Sequence, residues 1–229
     1  DSTIRRDLEQ LERQGLLKRT YGGAVLTQRE QDAREPFRDL DAVGGTATTL
    51  PDEASQIGAA AADQVSEGET IYLGSGSLSL LVARQLAART GITVITNALD
   101  VASYLAHHSP LPVILTGGQL ERPAGALIGH VAELALEELR ADRAILDVAG
   151  ISPDGITGES LSTAQFTRTV IERMPEVIVI ADRHKWGRVG PAFLAPLEAI
   201  DVIVTSQHAP PAMVWDLSQL GIQIIQARV

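Results

Sequence analysis

From Glu69 to the C-terminus, short apolar runs alternate with stretches of helical period, and that alternation restricts the fold class more than any other feature. Thr70-Ile-Tyr-Leu73 leads into a Gly/Ser loop and a helix expected near residues 78–89. Ile92-Thr-Val-Ile95 precedes a helix near 99–107, and Pro112-Val-Ile-Leu115 runs into Thr116-Gly117-Gly118. A helix near 131–140 precedes Ala144-Ile-Leu-Asp-Val148, and one near 162–173 precedes Val177-Ile-Val-Ile-Ala181. Val202-Ile-Val204, a helix near 212–220 and Ile222-Gln-Ile-Ile225 close the chain. Strands with no polar face are buried on both sides, so the expected fold is α/β, a mostly parallel sheet covered by helices. Hydrophobic residues make up 45% of the chain but aromatics only 3%, so the core must be built from Ala, Val, Leu and Ile. No apolar run approaches the ~20 residues that span a bilayer.

The first 26 residues follow a different pattern. Ser2 or Thr3 can cap a helix whose Ile4, Leu8 and Leu11 share one face. Gly15 suits the left-handed position that ends it. Leu16 to Arg19 and Ala24 to Leu26 then read as two strands joined through Tyr21-Gly22-Gly23. Helix followed by hairpin is the recognition helix and wing of a winged helix-turn-helix, here its second half. Residues 27–50 are polar and punctuated by Pro36 and Gly44-Gly45, which reads as a linker. Pro51, with Asp52 and Glu53 behind it, opens a new helix toward Val65. The expected organisation is a partial reader over 1–26, a linker over 27–50 and an α/β body over 51–229.

Charge follows the same division. The net charge is −10, yet residues 1–38 hold 8 Lys and Arg against 7 Asp and Glu, while residues 39–229 hold 11 against 22. A body this acidic repels DNA, so contact with nucleic acid falls to the N-terminal piece.

The Ser2–Ala24 segment, with Thr-Ile-Arg-Arg-Asp-Leu in its helix and Gly-Gly-Ala in its wing, closely resembles the DeoR family of bacterial transcription regulators. The resemblance implies that Ser2, Thr3, Arg5 and Arg6 meet DNA, with Arg19 on the wing. The physics agrees, because the N-terminal end of a recognition helix enters the major groove and arginine forks fit guanine edges or phosphates. The resemblance continues to about Ser206. It implies a sensor domain similar to the ribose-5-phosphate isomerase and coenzyme A transferase type of fold. It further implies a phosphorylated sugar or related metabolite as effector, operator DNA as partner, a homo-oligomer and the cytoplasm as compartment; no cofactor is expected, and no catalysis, because the motifs of the related enzymes are missing.

Ligands of open α/β sheets gather at the carboxyl ends of the strands. Gly74-Ser75-Gly76-Ser77-Leu78-Ser79 follows the first strand and opens a helix, which suits a phosphate cradle of backbone N–H groups and hydroxyls. The alternative is a tight turn with Ser77 capping the helix. The family usually carries Asp-Ser-Gly-Thr-Thr here, so Gly74 and Leu78 depart from it. Thr96-Asn97 matches the family, and Asn97 either binds sugar hydroxyls or caps the next helix. Gly117 and Gly118 permit close ligand approach or serve a turn, while Gly125 to Gly129 suits packing. The resemblance places Gly150 beside the effector. Asp147 stands where the family commonly has a small residue, either binding hydroxyls or pairing at a strand end. Asp182-Arg-His-Lys185-Trp186-Gly187 matches the family's Asp-Ser-Ser-Lys-Phe-Gly, with Lys185 as anion anchor and Asp182 holding it. Arg183 and His184 replace small residues.

Rival chemistries find less support. The Gly74-x-Gly76 pair lacks the third glycine of a dinucleotide fingerprint, Ser79 standing there, and no acid ends the second strand. A sugar-phosphate isomerase is the more serious alternative, since its loops would look similar. It would carry Asp-Gly-Ala-Asp where this chain has Asp147-Val-Ala-Gly150, and Glu159 is the one acid left near the expected rim. The five histidines show no metal-ligand spacing, and no metal is expected.

Overall fold

The computed structural model describes residues 17–20, 23–26, 51–122 and 124–227. Two compact units divide at Ala42/Val43. In the first, strands β1 (Leu17–Thr20) and β2 (Gly23–Leu26) form an antiparallel hairpin in which Arg19 pairs with Ala24. This is the expected pair of strands. The recognition helix with Ser2, Thr3, Arg5 and Arg6, and the linker, lie outside the described residues.

The second unit is built on seven strands: β3 (Thr70–Leu73), β4 (Thr93–Thr96), β5 (Val113–Leu115), β8 (Arg143–Asp147), β11 (Val177–Ile180), β13 (Val202–Ser206) and β14 (Gln223–Ala227). Their order is β14-β13-β11-β8-β3-β4-β5, and every pairing is parallel. Each expected strand is present, with ends shifted by a residue or two. Burial explains the apolar sequences: β11 and β13 are buried throughout, whereas edge strand β5 exposes Ile114 and Leu115.

Alternate residues feed two cores. Ile71, Leu73, Ile145, Ile178 and Ile180 pack on one face with helices α1 (Pro51–Ala62), α2 (Ser77–Leu86) and α3 (Leu99–His108). Tyr72, Ala144, Leu146, Val177 and Val179 pack on the other with α4 (His130–Glu138), α5 (Leu161–Arg173) and α6 (Pro211–Gln219). A fully buried Leu or Ile contributes ~1.5–3 kcal/mol, so an aliphatic core of this extent suffices without many aromatics. Small residues let helices approach closely: a Cβ on Gly58 of α1 would lie 2.9 Å from Leu81 Cβ of α2.

Three strands and a hairpin were not foreseen. Strands β9 (Gly150–Ser152), β10 (Gly155–Gly158) and β12 (Ala192–Ala195) form an antiparallel sheet in the order β12-β10-β9, and β6 (Gln119–Glu121) pairs with β7 (Ala126–Ile128). Each is three or four residues long, too short for periodicity to show. Among the described residues, no helix is long and apolar enough to cross a membrane.

Candidate functional site

Chain order runs outward in both directions from the β3/β8 pair: β4 and β5 follow β3 toward one edge, and β11, β13 and β14 follow β8 toward the other. The segments leaving β3 and β8 therefore diverge to opposite faces. A crevice opens between their carboxyl ends, the position where open α/β sheets take ligands.

Helix α2 starts in this crevice. Its N-cap is Gly76, at φ 135° and ψ 160°, and no side chain from its own segment caps it. Ser77 is the first helical residue and is exposed, so it does not serve as the cap. The cap comes from strand β8: the Leu78 N–H donates to Asp147 Oδ2 at 3.0 Å. Gly76 is required for this arrangement. Its positive φ disfavours side chains, and a Cβ would overlap the Asp147 carboxylate.

Lys185 reaches the same carboxylate from β11. Asp182 follows that strand by two residues and caps a short 3-10 turn, Arg183–Lys185, its Oδ1 accepting the His184 N–H at 2.8 Å. The Lys185 N–H donates to the Asp182 carbonyl at 3.2 Å. Trp186 locks the turn from beyond, its indole N–H donating to buried Thr205 Oγ1 of β13 at 3.0 Å. The Gly187 N–H donates to Ile151 O at 2.8 Å. So fixed, Lys185 Nζ pairs with Asp147 Oδ1. The two side chains are 15% and 7% exposed, which leaves the pair at the edge of solvent rather than within the core.

The residues read from sequence thus divide. Gly76, Leu78, Asp147 and Lys185 meet at one point, and Asp182 braces the turn that bears the lysine. Ser75 is half-buried in the same loop. Others have structural partners. Thr96 is fully buried, donating through Oγ1 to Leu73 O at 2.7 Å and accepting the Ala98 N–H at 3.0 Å. Asn97 neither caps α3, whose N-cap is Ala98, nor faces the crevice through an unengaged amide. Its Oδ1 accepts from the Tyr72 hydroxyl at 2.7 Å, and its Nδ2 donates to Leu127 O at 3.0 Å. Burial pushes the Tyr72 phenol far above its ordinary range, keeping it a neutral donor.

Ser79 is fully buried, its hydroxyl without a hydrogen-bond partner among the described residues. The Gly74 N–H extends the ladder to Ile145 O at 3.0 Å. Gly118 lies where a Cβ would come 2.6 Å from Ile128 O, beside half-buried Gly117. On Gly150 a Cβ would overlap the carbonyl of Arg188, so this glycine serves a close crossing of chains.

A second cluster along the same edge was not foreseen. Glu53, read only as an acid in the first turn of α1, is 1% exposed. Its Oε1 accepts from Ser206 Oγ at 2.5 Å, while Arg183 Nε and His208 Nδ1 lie 3.8 and 3.9 Å from its Oε2. Ser206 ends β13, and 153 residues separate it from Glu53, a distance no local pattern bridges. Among the described residues, no group of three or more His, Cys, Asp or Glu is placed to hold a metal.

Two family descriptions match the chain: the DeoR C-terminal sensor domain over residues 51–207 and the DeoR-like helix-turn-helix domain over residues 1–30. The glycerol-3-phosphate regulon repressor of Escherichia coli is 29% identical over 223 residues, 97% of this chain and 85% of the relative. The transcriptional repressor AccR of Agrobacterium fabrum is 35% identical over 207 residues, 89% of this chain and 77% of the relative. Among solved structures, a ribose 5-phosphate isomerase A from Methanocaldococcus jannaschii has a TM-score of 0.45 at 20% identity, over 60% of this chain and 55% of that one.

Proposed function

Since the chain belongs to the DeoR family of transcriptional regulators, we propose that it is a repressor of transcription whose α/β body senses a small phosphorylated sugar or related metabolite. One observation carries the choice of an anionic effector. The Lys185 ammonium and the α2 N-terminus converge, at the β3/β8 crevice, on a single negatively charged group. Helix N-termini and lysines are the standard ligands of phosphate. The name of the glycerol-3-phosphate regulon repressor, one of its relatives, supports a phosphate ester.

Ser2, Thr3, Arg5, Arg6 and Arg19 are the proposed DNA contacts, with operator DNA the partner and the cytoplasm the compartment. Effector binding changes operator affinity only if the effector binds two arrangements of the protein unequally. A homo-oligomer with two-fold reader heads matches a palindromic operator. Exposed Ile114 and Leu115 on edge strand β5 and Val131 on α4, 61% exposed, offer apolar surface for such assembly.

The body acts by binding rather than turnover. Isomerisation needs a carboxylate free to take a proton from the substrate. Asp147 is tied to a lysine and a helix N-terminus instead, and Glu159 is exposed outside these contacts. Thermal-shift titration against phosphorylated sugars and their unphosphorylated partners tests the reading. Stabilisation by a phosphorylated member alone, without product formation, is expected. Conversion of that compound establishes the isomerase alternative instead.

A further inference from the structure

The anion cradle already contains an anion of the protein's own. We infer that Asp147 is a specificity-determining residue, a tethered carboxylate that occupies the effector's anion position and admits only ligands able to displace it, phosphate dianions rather than carboxylates. The inference rests on the reading of the β3/β8 crevice as the effector site.

Three features place the carboxylate in the ligand's position and not merely near it. Its two oxygens divide the two donors, Oδ1 taking Lys185 Nζ and Oδ2 taking the Leu78 N–H. It rests directly on Gly76, whose positive φ and missing Cβ make the room. Its side chain is only 7% exposed, while Lys185 at 15% still reaches solvent and Ser77 beside it is exposed.

A carboxylate ligand entering here would exchange one carboxylate for another. It gains no charge and must also outcompete a group held at the high effective concentration that a tether provides. A phosphate dianion brings more charge and an additional acceptor oxygen, so it can win the exchange. Discrimination of this kind comes from a built-in competitor, not from added contacts to the preferred ligand.

The test compares the parent with Asp147→Gly by thermal melts and calorimetry, using inorganic phosphate, glucose 6-phosphate and glucuronate, a sugar with a carboxylate at the corresponding carbon. Asp147→Asn, neutral and close in volume, serves if the glycine variant does not fold. In the variant Lys185 and the Leu78 N–H lack their partner. We expect phosphate to raise its melting temperature more than the parent's, phosphate affinity to rise about tenfold or more, and the preference for glucose 6-phosphate over glucuronate to shrink. Adding Lys185→Gln to the variant should remove the gain. Unchanged or weaker phosphate binding in the variant, or no phosphate binding by either protein, overturns the inference. If the parent binds glucose 6-phosphate and Asp147→Gly leaves that affinity unmoved, the inference fails and the phosphorylated effector stands. If the variant gains phosphate binding while the parent takes no phosphorylated sugar from a broad panel, Asp147 blocks the cradle outright, and the inference falls together with the phosphorylated effector.

Discussion

Trp186 and Thr205 form a buried indole-to-hydroxyl hydrogen bond of 3.0 Å that ties the lysine-bearing turn after β11 to the neighbouring strand β13. Lys185 precedes this anchor by one residue, so its position at the crevice depends on the bond. Trp186→Phe removes the donor and leaves Thr205 Oγ1 buried and unpaired, at an expected cost of about 1–3 kcal/mol in addition to lost packing. Trp186→Phe with Thr205→Val should cost less than the sum of the single changes, because neither polar partner is then left alone. Urea denaturation of the four proteins measures the coupling. Effector affinity should fall in Trp186→Phe.

Tyr72→Phe tests the role of Asn97. Without the phenol, Asn97 Oδ1 loses its donor in a buried site, and stability should drop by about 1–3 kcal/mol. Effector affinity, measured well below the melting temperature, should not change. A large loss of affinity at constant fold would return Asn97 to the binding site.

How far the sequence discloses the molecule depends on the range of the interactions. The seven parallel strands are legible because burial on both faces leaves β11 as Val-Ile-Val-Ile, a run with no polar alternative. The small strands β9, β10 and β12 are not, because each spans only three or four residues, and β9 and β10 carry glycines where chains cross closely, as at Gly150 against Arg188. In the site, the Gly/Ser turn and Lys185 are visible as local motifs. The partner they share is not, since Asp147 lies 69 residues from Leu78 and 38 from Lys185. For the same reason the Glu53 cluster is hidden. Asn97 misleads for a different cause: at a strand end, a structural amide and a ligand-binding amide look alike until Tyr72 and Leu127 are placed around it.

Gly76→Ala combines two penalties, a side chain at φ 135° and overlap with the Asp147 carboxylate. Strain and overpacking of this kind each cost about 1–3 kcal/mol. In an Asp147→Gly background only the backbone strain remains, so the penalty of the alanine should shrink. Thermal melts of the double-mutant cycle show this as non-additivity; additive losses would place the carboxylate away from Gly76.

Acid dependence should follow Asp100, in the first turn of α3. Burial raises its carboxyl pKa, and hydrogen bonds from the Val101 and Asp100 N–H groups oppose the rise in part. The native state therefore holds this proton more tightly than the unfolded chain. Its contribution to stability declines as pH climbs from the ordinary carboxylate range, about 4, through the raised native value, and stays reduced above it. Asp100→Asn should accordingly stabilise the protein relative to the parent at pH 7, with the difference fading toward pH 3. Paired melts across that range check the sign.

Calorimetric titration of a phosphorylated sugar identified by thermal shift, into the parent and into Lys185→Gln, tests most directly whether the β3/β8 crevice is the effector site. The expected result is saturable binding to the parent and a loss of about tenfold or more in the variant, since a charge-assisted contact to phosphate is worth roughly 1.5–3 kcal/mol. Equal affinity in the two proteins, with both folded, would contradict the assignment.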